Sequence, residues 1–347
     1  VRVAVVMFNL GGPDRPEAVR PFLRNLFSDP AILRVPGPVR YLLAWLIARR
    51  RAPIARGIYE QLGGGSPLLP NTVAQAEAVA KALAERRPDD QFLCVPVMRY
   101  WHPFASEVTR QVAAWRPDRI IQLPLYPQFS TTTSASSLAD WAKAAAAAGL
   151  DQPTATVCCW PANRGWIRAS AELLRATLDR VVADGHRPRV LFSAHGLPKK
   201  IVDAGDPYAW QVERSAEAII AELGSEAPES VVCYQSRVGP LEWIGPSTED
   251  ELVRAGRDGR AVVIYPVAFV SEHSETLVEI EIEYREKAHA AGVPAFVRVP
   301  TAMTHPSFVA GLADLVEAAL VDGGRRADGG GRLCPAGAVG CATANLA

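Results

Sequence analysis

His195 ends an apolar run over residues 189–194 and is followed directly by a Gly196-Leu197-Pro198 turn. A histidine there is first of all a hydrogen-bonded loop residue. With an ordinary pKa of about 6.5, its neutral ring can also accept a proton near neutral pH. Glu272, Glu275, Glu279 and Glu283 are spaced i, i+3, i+7 and i+11, along one helical face beside His273. The plain reading is a solvated acidic face, in which like charges one turn apart cost about 0.2–0.5 kcal/mol per pair. The first two glutamates sit near a helix start, where the macrodipole favours them. A row that begins in a loop at a histidine and runs outward suits a hydrated divalent cation or a proton relay. Oxygen and imidazole donors fit Fe²⁺ and similar metals. The pattern is not HExxH, so zinc-dependent hydrolysis has little support.

These residues need a scaffold that gathers loops. β-branched apolar runs at residues 2–8, 92–98, 119–125, 155–160, 189–194, 230–234, 261–267 and 295–299 alternate with helical stretches. The helices are expected over 16–26, 73–85, 134–148, 166–183, 208–223, 276–291 and 306–320. Alternation of this kind predicts an α/β protein with parallel sheets flanked by helices, and eight strands predict two doubly wound, Rossmann-type lobes with a cleft between them. The first lobe is expected over 1–158 and the second over 159–321, with the last helix crossing back and 322–347 a Gly/Ala-rich tail. No internal repeat is visible in the sequence. In such folds ligands lie outside the carboxyl ends of the strands. The loops there carry Asn9-Leu10-Gly11-Gly12-Pro13, Arg99-Tyr100, Tyr126-Pro127-Gln128-Phe129-Ser130, His195 and Phe269-Val270-Ser271-Glu272-His273. None is a GxGxxG dinucleotide fingerprint, and Gly63-Gly64-Gly65-Ser66-Pro67 lacks the Lys of a P-loop. Tyr100, Tyr126, Phe129, Trp243 and Phe269, together with Arg99 and Arg49-Arg50-Arg51, suit a large flat apolar ligand carrying carboxylates.

The 347 residues hold 37 Lys+Arg and 37 Asp+Glu, a balance that argues against a nucleic-acid binder. The balance is uneven along the chain. Residues 40–56 carry five arginines and no acid, and residues 271–286 carry six glutamates against one arginine. The apolar run Tyr41-Leu42-Leu43-Ala44-Trp45-Leu46-Ile47-Ala48 ahead of the arginines reads equally as a buried helix with a basic end or as an interfacial helix. It is far short of the ~20 residues of a spanning helix. With no signal-peptide layout at the first residues, the expected location is the cytoplasm, with peripheral contact at the inner face of the membrane.

Seven motifs in order resemble the ferrochelatase family over residues 3–320: Asn9-Leu10-Gly11-Gly12-Pro13, Gly63-Gly64-Gly65-Ser66-Pro67, Arg99-Tyr100, Tyr126-Pro127-Gln128-Phe129-Ser130, Ser193-Ala194-His195-Gly196-Leu197-Pro198, Val238-Gly239-Pro240 with Trp243, and Phe269 to Leu277. The resemblance implies a chelatase-like fold and a lyase that inserts Fe²⁺, its substrate, into protoporphyrin IX to form protohaem in haem biosynthesis. It makes His195 the essential histidine and Glu275 the carboxylate facing it, both metal contacts. It places His273, Glu279 and Glu283 in a polar row beyond. Arg51 and Ser66 would meet propionates, Trp243 and Phe269 would wall the pocket, and Asn9, Leu10, Arg99 and Tyr100 would lie across the macrocycle, with Tyr126 and Ser130 among the substrate-binding loops. It tilts residues 36–56 toward a membrane lip. Coproporphyrin or another tetrapyrrole as substrate, and a non-catalytic haem- or porphyrin-binding role, are the alternatives. The partners expected are porphyrin, ferrous iron, the membrane surface and a second copy in a homodimer, with no nucleic acid.

Among the six cysteines, Cys94 and Cys233 lie in apolar strands. Cys334 and Cys341 lie in the tail, where two free thiols are the plain reading. Some members of the family hold a [2Fe–2S] cluster with C-terminal cysteines plus one from the body, and four thiolates are usual. Cys158 and Cys159 would complete the set, although neighbours in a strand point to opposite faces unless the strand ends there.

Overall fold

The computed structural model describes residues 1–344 except Val238 and Pro240. The chain begins with β1 (Arg2–Asn9), every residue after Arg2 buried, and continues through α1 (Val19–Ser28), α2 (Gly37–Glu60) and α3 (Leu68–Arg86) to β2 (Gln91–Met98). Then follow α4 (Ala105–Trp115), β3 (Arg119–Pro124), α5 (Ser134–Ala147) and β4 (Thr154–Cys159). The connecting α6 (Arg164–Ala183) leads to β5 (Pro188–His195), α7 (Lys199–Asp203), α8 (Tyr208–Leu223), β6 (Ser230–Gln235), α9 (Thr248–Arg257) and β7 (Ala261–Pro266). A π-helix (Glu275–Tyr284), α10 (Arg285–Ala290), β8 (Phe296–Arg298), α11 (Pro306–Asp322) and β9 (Arg325–Ala327) complete it.

Both sheets are parallel, as continuously apolar strands such as Val262-Val263-Ile264 require when each face is covered. The first has the order β2-β1-β3-β4-β9 and the second β6-β5-β7-β8. In each, the first strand of the half pairs with the second on one side and the third on the other. The topological switch point therefore lies between β1 and β3 in one sheet and between β5 and β7 in the other, where a crevice opens at the carboxyl ends. The two halves share this order without sharing a sequence repeat.

The halves are locked together by α11, which returns from the second sheet to pack on α6 and α3. Gly165 and Gly311 meet at the α6–α11 crossing; a Cβ on Gly165 would stand 2.6 Å from the Gly311 Cα. Arg86 of α3 holds Asp314 and Glu317 of α11 at 2.7 and 2.9 Å. Trp160, Trp166 and Phe308 stack at the same junction, all buried.

Two segments differ from the sequence expectation. The tail is not loose: β9 adds a parallel strand to the first sheet, and Cys334, Ala338 and Cys341 pack with Trp210. Short Gly-rich segments gain such order from the edge they dock on rather than from their own pattern. The acidic segment, expected as an α-helix from residue 276, runs as a π-helix for ten residues, a form that is rare and concentrated at functional sites.

Candidate active site

A cavity opens at both switch points at once. Its walls come from the loop after β1 (Asn9, Leu10), the loop after β3 (Leu125, Tyr126, Gln128), the end of β5 (His195) and the segment after β7 (Phe269, Ser271, His273, Glu275). The space beside His195 is about 100 Å³, and past Glu275 it adjoins a second of about 370 Å³ lined by Arg51, Tyr59, Ser236, Glu279 and Glu283. A ligand of ordinary size needs several hundred Å³, so it must engage both.

The His195 Nδ1 lies 2.7 Å from the Gly196 carbonyl. A carbonyl oxygen only accepts, so Nδ1 carries the proton and donates it, which leaves the Nε2 lone pair facing the cavity. Across the gap, Glu275 Oε1 stands 4.0 Å from Nε2, beyond hydrogen-bond reach, and Glu275 Oε2 is buried with no partner. Both groups are thus open to a ligand between them. His273 is half-buried, packed against Phe269 with ring centroids 4.6 Å apart. Burial holds its pKa below the usual value despite the nearby Glu275 and Glu272, so its ring is neutral, and its Nδ1 has no partner.

Glu279 is tied down instead. It accepts from the Ser236 backbone N–H at 2.9 Å, the Ser236 hydroxyl at 2.6 Å, the Gln235 amide at 3.1 Å and the Tyr284 hydroxyl at 3.1 Å. Ser236 presents both donors from a left-handed backbone (φ 59), a strained setting for a residue with a side chain. Burial and then the charge of Glu275 raise the Glu279 pKa by more than the hydrogen bonds of Ser236 and Tyr284 and the nearby His195 lower it. Glu283, one turn on, is exposed. Glu272 leaves the row: Arg298 pairs with it at 2.9 Å, the Thr301 N–H binds it at 3.0 Å, and its pKa is lowered although burial opposes this. The acidic field of the segment is weaker than its composition suggests, because Glu281 is also paired with Arg298.

The segment is held from the other lobe. Gln75 of α3 donates to the carbonyls of Val270 and Met303, both at 2.9 Å, and accepts from Ser271; Asn71 donates to the Glu272 carbonyl. Tyr59 of α2 bonds Ser274, its pKa pushed up to about 12 by burial and the nearby Glu275. No spacing in the sequence marks these clamps, nor Ser236, Gln235 or Tyr208.

Other expected site residues fall in different places. Asn9, Leu10, Tyr126 and Phe269 line the cavity, and Arg51 lines the adjoining one. Trp243 packs behind the His195 turn, 3.2 Å from where a Gly196 Cβ would stand. Ser66 is packed against Gly12 and receives the Leu68 N–H, away from the cavity wall. Ser130 is buried against Asp206 and Thr132. Arg99 and Tyr100 point away from the cleft: the Arg99 guanidinium and the Tyr100 hydroxyl each reach Asp29 at 2.8 Å. Neither residue lines the two cavities around His195 and Glu275, and a buried carboxylate holds both heads. Val238 and Pro240 of the sixth motif lie outside the described residues.

At the edge of the first sheet the register between β4 and β9 shifts between Val157 and Cys159, just where β4 ends. The strand alternation is broken there, and the Cys158 and Cys159 thiols lie on one side with their sulfurs 3.4 Å apart. The tail brings in Cys334, which interacts with Cys341, and Gln211 reaches the sulfurs of Cys159 and Cys334 at 3.5 and 3.1 Å. All four thiols are buried and free of disulfides. Burial first, then the neighbouring thiols, push Cys334 up to about 12, whereas the Cys159 hydrogen bond and Arg325 lower Cys158. Among the described residues no three or more His, Cys, Asp or Glu side chains are closed around a metal-sized point.

The family described as ferrochelatase matches residues 2–320 of the chain. A curated ferrochelatase of Phenylobacterium zucineum is 50% identical over 345 residues, 99% of each chain. One of Caulobacter vibrioides is 52% identical over 315 residues, covering 91% of this chain and 89% of that one. Among solved structures, SirB from Bacillus subtilis with Fe³⁺ superposes with a TM-score of 0.53 at 12% identity, over 91% of this chain and 95% of that one, a likeness of fold.

Proposed function

The chain belongs to the ferrochelatase family, and we propose that its cleft inserts Fe²⁺ into protoporphyrin IX, releasing two protons and forming protohaem. The observation that carries this reading is the pair His195 and Glu275, 4.0 Å apart, unpaired and facing one another across a cavity walled by apolar side chains. Two pyrrole N–H protons must leave as the metal enters. The free Nε2 of His195 is the acceptor for one. Glu275 meets iron or takes the second proton, and half-buried Glu279, with its raised pKa, passes it toward exposed Glu283. Neutral His273 stands beside Glu275 with a free ring nitrogen. Leu10, Leu125, Tyr126 and Phe269 hold the macrocycle, with binding energy from the ring periphery available to bend it.

A dicarboxylate porphyrin is favoured over coproporphyrin because Arg51 is the one cationic side chain among the described residues lining the two cavities. Four carboxylates would need more cations. Anaerobic turnover with Fe²⁺, comparing the two porphyrins, tests this; a higher kcat/KM for coproporphyrin overturns it.

The reading includes a cytoplasmic protein resting on a membrane. Among the described residues no helix is long and apolar enough to cross one. Helix α2 exposes Tyr41 (61%), Leu42 (59%) and Ile54 (70%) beside Arg49 and Arg50, which suits an interfacial strip. Co-sedimentation with anionic vesicles tests it, and a soluble homodimer burying the strip would redirect it.

It also includes a [2Fe–2S] cluster held by Cys158, Cys159, Cys334 and Cys341. Four buried thiols brought together from β4 and the tail fit the usual donor set. Such a cluster would supply one-electron chemistry and would fasten the tail to the sheet edge; metal insertion needs no step from it. The lobes are drawn at 1–158 and 159–321.

A further inference from the structure

Gln211, fully buried in the first turn of α8, divides its hydrogen bonds between two places. Its Oε1 accepts the Phe129 backbone N–H at 2.7 Å. That donor fixes the amide orientation, because only the oxygen can accept. The Nε2 must therefore face the other way, where it meets the sulfurs of Cys334 at 3.1 Å and Cys159 at 3.5 Å. The Phe129 ring packs on Cys158, Cys159 and Ala327. The next residue back, Gln128, lines the cavity and is fixed by Ser215 and the Val267 carbonyl. Tyr208, one turn before Gln211 on the same helix, lines the cavity too. Asp206 completes the clamp, accepting from Ser130, from Thr131 and from the Tyr208 N–H.

We propose that Gln211 is a positioning residue that couples the thiol corner to the porphyrin wall: one end of its amide donates to cluster sulfurs, the other holds the loop that carries Tyr126 and Gln128. The inference rests on the cluster reading above. It goes further in assigning one side chain two consequences that can be separated. Hydrogen bonds to cluster sulfurs raise the reduction potential, so their loss lowers it. Loss of the acceptor for a buried N–H lets the loop relax in the unliganded protein, which weakens substrate binding about tenfold or more.

The test uses the full chain purified without oxygen, comparing the parent with Gln211→Leu and Gln211→Glu. The readouts are the visible and electron-paramagnetic-resonance spectra, the one-electron potential titrated with dithionite at several pH values, and KM against kcat for protoporphyrin. Gln211→Leu should shift the potential negative and raise KM about tenfold with little change in kcat. Gln211→Glu keeps an oxygen for the Phe129 N–H, so it should raise KM less. It also sets a titrating carboxyl against the sulfurs, so the potential should become pH-dependent, more negative at high pH, where the parent is flat. A residue that merely fills space would move neither quantity in this way. Potentials and spectra of both variants that coincide with an iron–sulfur-bearing parent overturn the inference. A colourless parent overturns the cluster reading itself, and the inference with it.

Discussion

Two carboxylates, the buried Asp29 in one half of the molecule and the half-buried Glu279 in the other, are treated in opposite ways. Asp29, at the end of α1, gathers Arg99, Tyr100, Ser136 and the Ala31 N–H around itself. Burial alone would raise its pKa, but these hydrogen bonds and the Arg99 charge hold it below the usual carboxylate value. Glu279, in the π-helix, also has several donors, but no arginine or lysine among the described residues pairs with it and Glu275 is a neighbour, so its pKa is raised although His195 opposes this. The difference shows how the labour is divided. In the first lobe the polar groups of the loops satisfy one another and fix a wall. In the second lobe charges are left uncompensated where protons and a metal must pass. A perturbed buried acid with no counter-charge is a functional candidate, and one with a counter-charge is a structural one.

The comparison is sharpened first by removing the uncompensated groups. His195→Ala should lower metal insertion by about 10³-fold while porphyrin still binds, as read by fluorescence quenching, since a positioned base typically contributes 10²–10⁴. Retained turnover would remove His195 from its role. Glu275→Gln should approach the same loss.

Removing the compensated carboxylate should give the complementary result. Asp29→Ala leaves the largely buried Arg99 guanidinium with only Ser136 and the more distant Asp140 carboxylate at 3.7 Å, and should cost about 3 kcal/mol in urea unfolding, while turnover per folded molecule stays within about twofold of the parent. A collapse of turnover without loss of stability would return Arg99 and Tyr100 to the substrate site and break the comparison.

The parallel strands up to β8 and the loops that bear the chemistry are legible from local pattern alone, because parallel strands are continuously apolar and the loops follow their carboxyl ends. His195, Glu275, Phe269 and Asn9 could be placed on that basis. What was illegible depends on partners remote in sequence. The Asp29 carboxylate that holds Arg99 and Tyr100 lies seventy residues away and no spacing announces it. Glu272 belongs to the acidic row by spacing and leaves it because of Arg298. The bulge that turns Cys158 and Cys159 to one side needs β9, a strand too short and Gly-flanked to be read. Ser236 takes a left-handed backbone that nothing in its type demands.

Glu279→Gln should then slow insertion about tenfold, less than Glu275→Gln, because it breaks a relay that water can partly replace. The reverse order would count against the relay.

The smallest effect is also the most specific: the two carboxylates should act on stability in opposite pH windows. A depressed carboxyl pKa in the fold, as at Asp29 and at Glu272 beside Arg298, gives stability that is full above the unfolded value and is lost as pH falls through the folded value. A raised one, as at Glu279, gives stability that is full below the unfolded value and is lost as pH rises through the folded value. Urea midpoints collected between about pH 3 and pH 8 should show Asp29→Asn flattening the acid limb and Glu279→Gln relieving the loss on the other side. Because glutamine keeps the shape and cannot ionise, the Glu279→Gln curve should diverge from the parent only once the pH exceeds the ordinary glutamate value. A constant offset across the range would mean that the side chain matters for packing alone, and Glu279 would then be no better a proton carrier than Asp29.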